Sequence, residues 1–309
     1  MPHRSASVPT PEPPRVSVVI PHYGDPEPTQ ALAADLRANE HAPLEIIVSD
    51  DRSPAPFPET PGLIVVRRET NGGFGSAVNS GAAVASGDLL LILNSDLRVG
   101  PAFIGDLTAA AAPWQPCVAG PRLISPDGIA DHSARLFPTV SQQMTEWLTP
   151  LARMRDSSAW HAAVGHDLRA GKATATVPTD WLVGAALLVP LATFKAISGF
   201  DQRYFMNSEE VDLQRRLREW GVPSVYCPTV TATHVGGGSS DPELRRSWVV
   251  TSRLTYAHKW GGLPQLRVGL AAATLLNLGW NGVRRLRGVD VQPWRTAKQE
   301  WSLTWKDVP

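Results

Sequence analysis

The sequence predicts an α/β protein with a mostly parallel central sheet, and three observations carry that prediction. Short apolar runs rich in branched residues alternate with helix-length stretches, each run stops at polar residues, and those polar stops recur strand after strand. A run apolar on both faces suits a strand buried between helices, and strands alternating with helices call for parallel pairing with right-handed crossovers.

The first run is Val16-Ser17-Val18-Val19-Ile20, closed by Pro21. A helical stretch follows over residues 29–39, then a strand over 44–49 ending at Asp50-Asp51, and a short strand over 63–67. Residues 71–75 form a glycine-rich turn into a small-residue helix over 76–85, and 88–93 form a fourth buried strand ending at Asn94-Ser95-Asp96. Ligands of such sheets bind beyond the carboxyl ends of the strands. His22, Tyr23 and Asp25, then Asp50 and Asp51, then Asp96 are all expected there. The stretch 125–177, with Trp147, Trp160, His161 and His166, reads as helices and loops over that site. Further on come a strand-like run over 181–189 broken by Gly184, a helix over 209–220, a short strand over 224–227, a segment 229–234, and three glycines.

This divides the chain into a disordered leader (1–14, five prolines), a catalytic domain (15–245, with halves 15–125 and 126–245) and a helical C-terminal extension (246–309). Lys+Arg and Asp+Glu both total 29, so no global charge recommends nucleic acid. Cys117 and Cys227 form neither a C-x-x-C site nor a disulfide framework, and buried thiols in a reducing cytoplasm are expected. No signal-peptide pattern opens the chain. The longest apolar stretch, 268–280, is short of the roughly 20 residues a membrane-spanning helix needs. Residues 258–309 hold eight Lys/Arg against three acids, with five tryptophans between them. That composition suits either a bilayer interface or a helical cap packed through its tryptophans.

Three groups carry chemistry. Asp96, emerging at a strand end, can hold Mg2+ or Mn2+ against a diphosphate, which needs only one or two protein carboxylates. His234, ahead of a glycine loop (236–240), is a candidate second ligand. Glu209, Glu210 and Asp212 open a helix, where acids are favoured by the dipole; one of them projecting into the site could serve as a general base.

These segments resemble the family 2 glycosyltransferases of GT-A fold, in particular the bacterial rhamnosyltransferase-like branch. The resemblance rests on VSVVIPHY (16–23), IIVSDDRS (46–53), NGGFGSAVN (71–79), Asn94-Ser95-Asp96, WLVGAALLVP (181–190), GFDQRYFMNSEEVDL (199–213) and HVGGGSS (234–240), in the family's order. It implies a GT-A nucleotide-sugar-binding domain and an inverting, metal-dependent transfer from a dTDP- or UDP-linked sugar to a glycan or polyprenyl-linked acceptor, in cell-wall or surface polysaccharide synthesis. Asp51 would bind the base, with Pro21 and Tyr23 lining its pocket. Asn71, Gly75, Asn94 and Ser95 would complete the donor site, Asp96 and His234 would hold the metal, and Trp181 would lie on the acceptor side. Glu210 stands where the family has Asp, which leaves Glu209 as the alternative base, while Asp212 would position the helix. Asn207 and Ser208 stand where bulky residues are usual. The location implied is cytoplasmic, with peripheral membrane contact through the C-terminal extension.

Other readings fit less well. A dinucleotide-dependent oxidoreductase would need G-x-G-x-x-G after the first strand. A nucleotidyltransferase would need a basic glycine-rich loop there, and residues 22–25 contain no Lys or Arg. A nucleotide-sugar-binding protein without activity would not need Asp96, Glu210 and His234.

Overall fold

The computed structural model describes residues 13–236 and 241–308; most of the proline-rich leader and the glycine-loop residues 237–240 lie outside the described residues. The chain begins with β1 (Val16–His22), α1 (Pro26–Arg37), β2 (Glu45–Asp50), β3 (Ile64–Arg67), α2 (Phe74–Val84) and β4 (Leu89–Leu93). The four strands pair in parallel in the order β3-β2-β1-β4. Successive side chains feed opposite layers: Val18, Ile20 and Leu91 pack with Leu32 and Leu36 of α1, while Val19, Ile47 and Ile92 pack with Val78 and Ala82 of α2. Each such side chain contributes about 1.5–3 kcal/mol when fully buried, which is why these strands read as unbroken apolar runs. Asp25 is not among the ligand-facing groups expected of it: it caps α1, accepting from Glu27 N–H at 3.0 Å.

The chain continues through β5 (Leu97–Val99), α3 (Phe103–Ala111), β6 (Val118–Ile124), β7 (Ala134–Arg135), α4 (Val140–Trp147), α5 (Ser158–Ala163), α6 (Leu168–Gly171), β8 (Val177–Thr179), β9 (Trp181–Leu182), β10 (Ala186–Pro190), α7 (Leu191–Ala196), α8 (Glu209–Glu219) and β11 (Ser224–His234). The main sheet runs β3-β2-β1-β4-β10-β6-β11-β5, with β8 also on β11. Beyond β4 it is mixed: β10 is antiparallel to β4 and β6, β11 is parallel to β6, and β5 and β8 are antiparallel to β11. A fully apolar run is silent on direction, because direction depends on the end from which the chain re-enters. The two segments expected at 224–227 and 229–234 form one strand, irregular between Cys227 and Thr231, where Pro228 offers no N–H to the ladder. Cys117 and Cys227 are buried and free.

The C-terminal helices are α9 (Pro242–Trp260), α10 (Leu263–Leu286) and α11 (Pro293–Thr304), so the extension starts a few residues before the expected 246. Trp147 of α4 joins Val250 and Leu254 of α9 and Leu266, Leu270 and Ala273 of α10 in a third core. The inner face of α10 is otherwise polar. Trp147 Nε1 donates to Thr274 Oγ1 at 2.9 Å, Asn277 donates to Trp147 O at 2.8 Å, and Thr149 N donates to Asn277 Oδ1 at 2.8 Å. The outer face carries Leu275 and Leu276, 61% and 60% exposed, and Leu286, 89% exposed. No helix among the described residues is long and apolar enough to cross a membrane.

Candidate active site

The carboxyl ends of β1 and β2 and the turn before α2 form one end of the site. His22 turns inward to Thr29 Oγ1 (2.8 Å) and the edge of Phe57, away from the ligand side expected of it. Tyr23 is exposed and Pro21 half-buried beside it. Asp50 is fully buried and structural, accepting from Ser53 N, Phe57 N and Arg67. Asp51 accepts from Arg68 Nε at 2.7 Å, Gly72 N at 3.0 Å and Gly73 N at 2.7 Å. Gly72 N also reaches the second oxygen at 3.1 Å, so both carboxylate oxygens hold the glycine turn.

The glycine-rich turn is fixed by contact. Gly73 has φ 82°, and a Cβ on it would lie 1.7 Å from the carbonyl oxygen of Phe205. Asn71 is exposed and its Oδ1 accepts from Gly73 N at 3.2 Å. Gly75, by contrast, is buried against Phe200, so its smallness serves packing. Asn79 brackets the Phe200 peptide, donating to its oxygen and accepting from its nitrogen, both at 2.8 Å. The segments 71–79 and 199–205 therefore form one unit.

At the end of β4, Asn94 N donates to Ala185 O at 2.8 Å, and the turn through half-buried Ser95 brings Asp96 to the edge. β5 then pairs with the end of β11, and Val235 N donates to Asp96 O at 3.0 Å. The result is that His234 Nε2 lies 3.3 Å from Asp96 Oδ1, with both side chains part-exposed. The hydrogen bond that His234 donates to Asp96 raises the imidazole above the ordinary histidine range. Burial would raise Asp96, but the hydrogen bond and charge of His234 outweigh it and hold the carboxyl low. An oxygen and a nitrogen donor converging at this edge fit a divalent cation that takes its remaining ligands from phosphate and water.

Glu209 and Glu210 enter after Asn207 (φ 69°) and Ser208 (φ 64°), two successive residues in the left-handed region. Asn tolerates that region better than bulky side chains, which accounts for the small residues at these positions. Glu209 is buried, whereas Glu210 is half-buried. Burial pushes both carboxyls up, Glu209 also because Glu210 faces it. Opposing this, Glu210 accepts from backbone N–H groups, including that of Gly184, and faces the Arg135 guanidinium. Gly184 gives it room: a Cβ there would stand 3.2 Å from Glu210 Cβ. Since Ala185 receives Asn94 N, the metal-type edge and Glu210 are joined through Gly184-Ala185.

Asp212 lies away from this edge. It is fully buried and holds Arg216 Nε at 2.8 Å, Trp260 Nε1 at 2.8 Å and Lys259 Nζ at 2.7 Å, which fastens α8 to the end of α9. Trp181 donates from Nε1 to Leu136 O at 2.8 Å, with the Arg135 guanidinium 5.8 Å from its ring centre. Arg135 itself was not legible in the sequence, because only the β7–β9 pairing brings it beside Trp181.

An α/β sheet with a carboxylate–imidazole pair at one edge, a glutamate linked to that edge through Gly184-Ala185 and a carboxylate-clamped glycine turn before α2 suits a sugar-nucleotide transferase. Residues 17–162 match the Glycosyl transferase family 2 model, a match that ends before Glu209, Glu210 and His234. The chain is similar to an N-acetylglucosaminyl-diphospho-decaprenol L-rhamnosyltransferase of Mycobacterium tuberculosis, 29% identical over 234 residues, covering 70% of this chain and 75% of that protein. It is also similar to the Escherichia coli rhamnosyltransferase WbbL, 30% identical over 106 residues, covering 34% of this chain and 35% of that one. A crystal structure of GalNAc-T7 with UDP, GalNAc and Mn2+ shares the fold at a TM-score of 0.56 and 16% identity, over 75% of this chain and 45% of that one. The chain is thus similar to the family 2 glycosyltransferases over residues 17–162, has a GT-A-type fold, and resembles rhamnosyltransferases.

Proposed function

We propose that the enzyme transfers a hexose, with rhamnose favoured by its relatives, from a dTDP- or UDP-linked donor to a hydroxyl of a lipid-linked glycan, inverting the anomeric carbon. The observation that carries this reading is the Asp96–His234 pair joined through Gly184-Ala185 to Glu210. Asp51, just after β2, would receive the imide N–H of a uracil or thymine base, and exposed Tyr23 offers the base a face. Asp96 and His234 would hold the divalent cation, whose chemistry is to offset the charge on the departing diphosphate. The imidazole nitrogen favours Mn2+ over oxygen-seeking Mg2+.

Glu210 accepts the proton of the attacking hydroxyl as its oxygen bonds to the anomeric carbon. The bond to the diphosphate oxygen breaks in the same step and its electrons leave with the nucleotide. Its raised pKa makes Glu210 a better base, and its half-buried position supports choosing it over Glu209. Trp181 and Arg135 lie on the acceptor side of Glu210 in this reading.

The acceptor is proposed to be N-acetylglucosamine on a polyprenyl diphosphate, presented at the cytoplasmic face of the membrane. The outward leucines of α10, exposed Trp294 and the basic run Arg284, Arg285 and Arg287 support that placement. Each Lys or Arg near an anionic leaflet contributes about 1 kcal/mol. The test is incubation with dTDP-rhamnose or UDP-sugars, Mn2+ and a prenyl-diphospho-N-acetylglucosamine, with NMR of the new linkage. An inverted glycoside is expected. Retained configuration, or nucleotide release without any glycoside, would overturn the reading.

A further inference from the structure

Three histidines that the donor and acceptor chemistry does not use converge beside Arg135. His132 follows β6, His161 lies on α5 and His166 lies between α5 and α6. Their ring centres stand 4.0, 4.5 and 4.9 Å apart, and one nitrogen from each lies within 4.8 Å of the others. His161 Nδ1 and His166 Nδ1 face each other at 3.0 Å. A tetrahedral ion with Zn–N bonds of about 2.0–2.1 Å needs nitrogens roughly 3.3 Å apart, so one pair already meets that spacing and the third ring has a short way to close. His161-x4-His166 also falls within the H-x3–5-H spacing of zinc sites.

The surroundings suit ligation. Burial, then the nearby Arg135 guanidinium, pushes His166 down to about 3, and burial with the neighbouring His161 lowers His132. Neutral imidazoles keep a lone pair each, yet three rings at this distance can satisfy one another only in part. Arg135 opposes a cation here, but the carboxylates of Asp131, Glu146 and Glu210 all face that guanidinium, and Asp131 faces His132 as well. The backbone is already closed around the cluster: Leu136 N donates to Gly165 O at 2.8 Å, His166 N to His161 O at 2.9 Å and Asp167 N to Ala134 O at 3.0 Å.

We propose that His132, His161 and His166 form a second metal site, which takes one zinc-class dication through three imidazole nitrogens and ties the 131–170 segment together beside Glu210. Its chemistry separates it from the Asp96–His234 edge: an all-imidazole set selects Zn2+, Co2+ or Ni2+, whereas a carboxylate–imidazole pair completed by phosphate suits Mn2+. A fourth position is left for water.

The test strips the full chain with chelator, equilibrates it with ZnCl2, removes free metal by gel filtration and counts zinc by atomic emission. Stoichiometric zinc is expected in the wild type and in the Asp96→Ala/His234→Ala variant, and its loss in His161→Ala/His166→Ala. Circular dichroism checks the fold of each variant, Mn2+-dependent nucleoside diphosphate binding checks that of the histidine variant as well, and failure of donor chemistry leaves the zinc count unaffected. Zinc missing from the wild type, lost with the Asp96/His234 variant, or kept by the histidine variant overturns the proposal. Should the histidine variant not fold, Co2+ replaces it as the probe. Intense visible absorption of tetrahedral nitrogen ligation in wild type and in the Asp96/His234 variant supports the site, and a weak octahedral-type spectrum overturns it.

Discussion

In the sheet, Val18, Ile20, Leu91 and Ile92 are sealed between helices and the polar side chains gather at the strand ends; in α10, Thr274, Asn277 and Asn281 are sealed while Leu275, Leu276 and Leu286 face solvent. Both arrangements satisfy the same physics. A buried polar group is tolerated when its hydrogen bonds are made, and those of Asn277 are made to Trp147 O, Thr149 N and Glu300. What differs is the outside. The sheet half has its apolar surface covered by its own helices, while α10 leaves Leu275, Leu276 and Leu286 largely exposed. That contrast separates a half built for chemistry at an edge from a half whose outer surface suits an apolar neighbour.

The largest effect expected is at the edge. Glu210→Gln keeps shape and removes proton-accepting power, so kcat should fall about 10²–10⁴-fold with donor affinity kept. If Glu209→Gln is the inactive variant, the base moves by one residue. Next, Asp96→Ala and His234→Ala should each weaken Mn2+-dependent nucleoside diphosphate binding by at least the 10–100-fold typical of lost outer-shell partners, read by calorimetry with and without the metal. Unchanged affinity in both would remove the metal from this edge.

The pH profile sharpens the same point. Glu210 must be unprotonated to act, so kcat/KM should climb as pH rises through its pKa, which burial sets above the usual carboxylate range. Arg135 lowers that pKa, so Arg135→Gln should move the limb to higher pH. A limb fixed in that variant would mean that another group titrates.

In the helical half the effects are smaller and should divide by face. Asn277→Ala strands buried partners and should cost about 1–3 kcal/mol by urea unfolding. Leu275→Ser with Leu276→Ser should stay within about 0.5 kcal/mol per site, as surface changes do. The same pair should reduce co-sedimentation with anionic liposomes, as should replacing Arg284, Arg285 and Arg287 by Ser. Equal liposome binding by all variants would remove the membrane from the account of α10.

The parallel half was legible because its strands are buried on both faces, so that Val16 to Ile20 can hardly be anything else. The antiparallel return of β10 was not, since the run 186–190 carries no mark of direction. Among the site residues, Asp96 and His234 were legible from their places after apolar strands, and they do meet. Gly75 looked like a ligand residue and packs on Phe200 instead; its motif serves a contact over a hundred residues away. Asp25 looked alike from sequence and caps a helix. The apolar stretch 268–280 was visible, but which of its faces is buried depends on how α4 docks, and that is a property of the tertiary structure.

The bonds from Asp212 to Lys259 and Trp260 have a practical consequence for where the chain can be cut. The matched family segment ends at 162, and the sheet ends at His234, yet the helix bearing Glu210 is riveted to residues beyond both. A fragment stopped after the sheet would uncover Asp212 and take away two of its donors, leaving Arg216 as its paired cation. The smallest piece able to hold Glu210 in position therefore extends at least to Trp260.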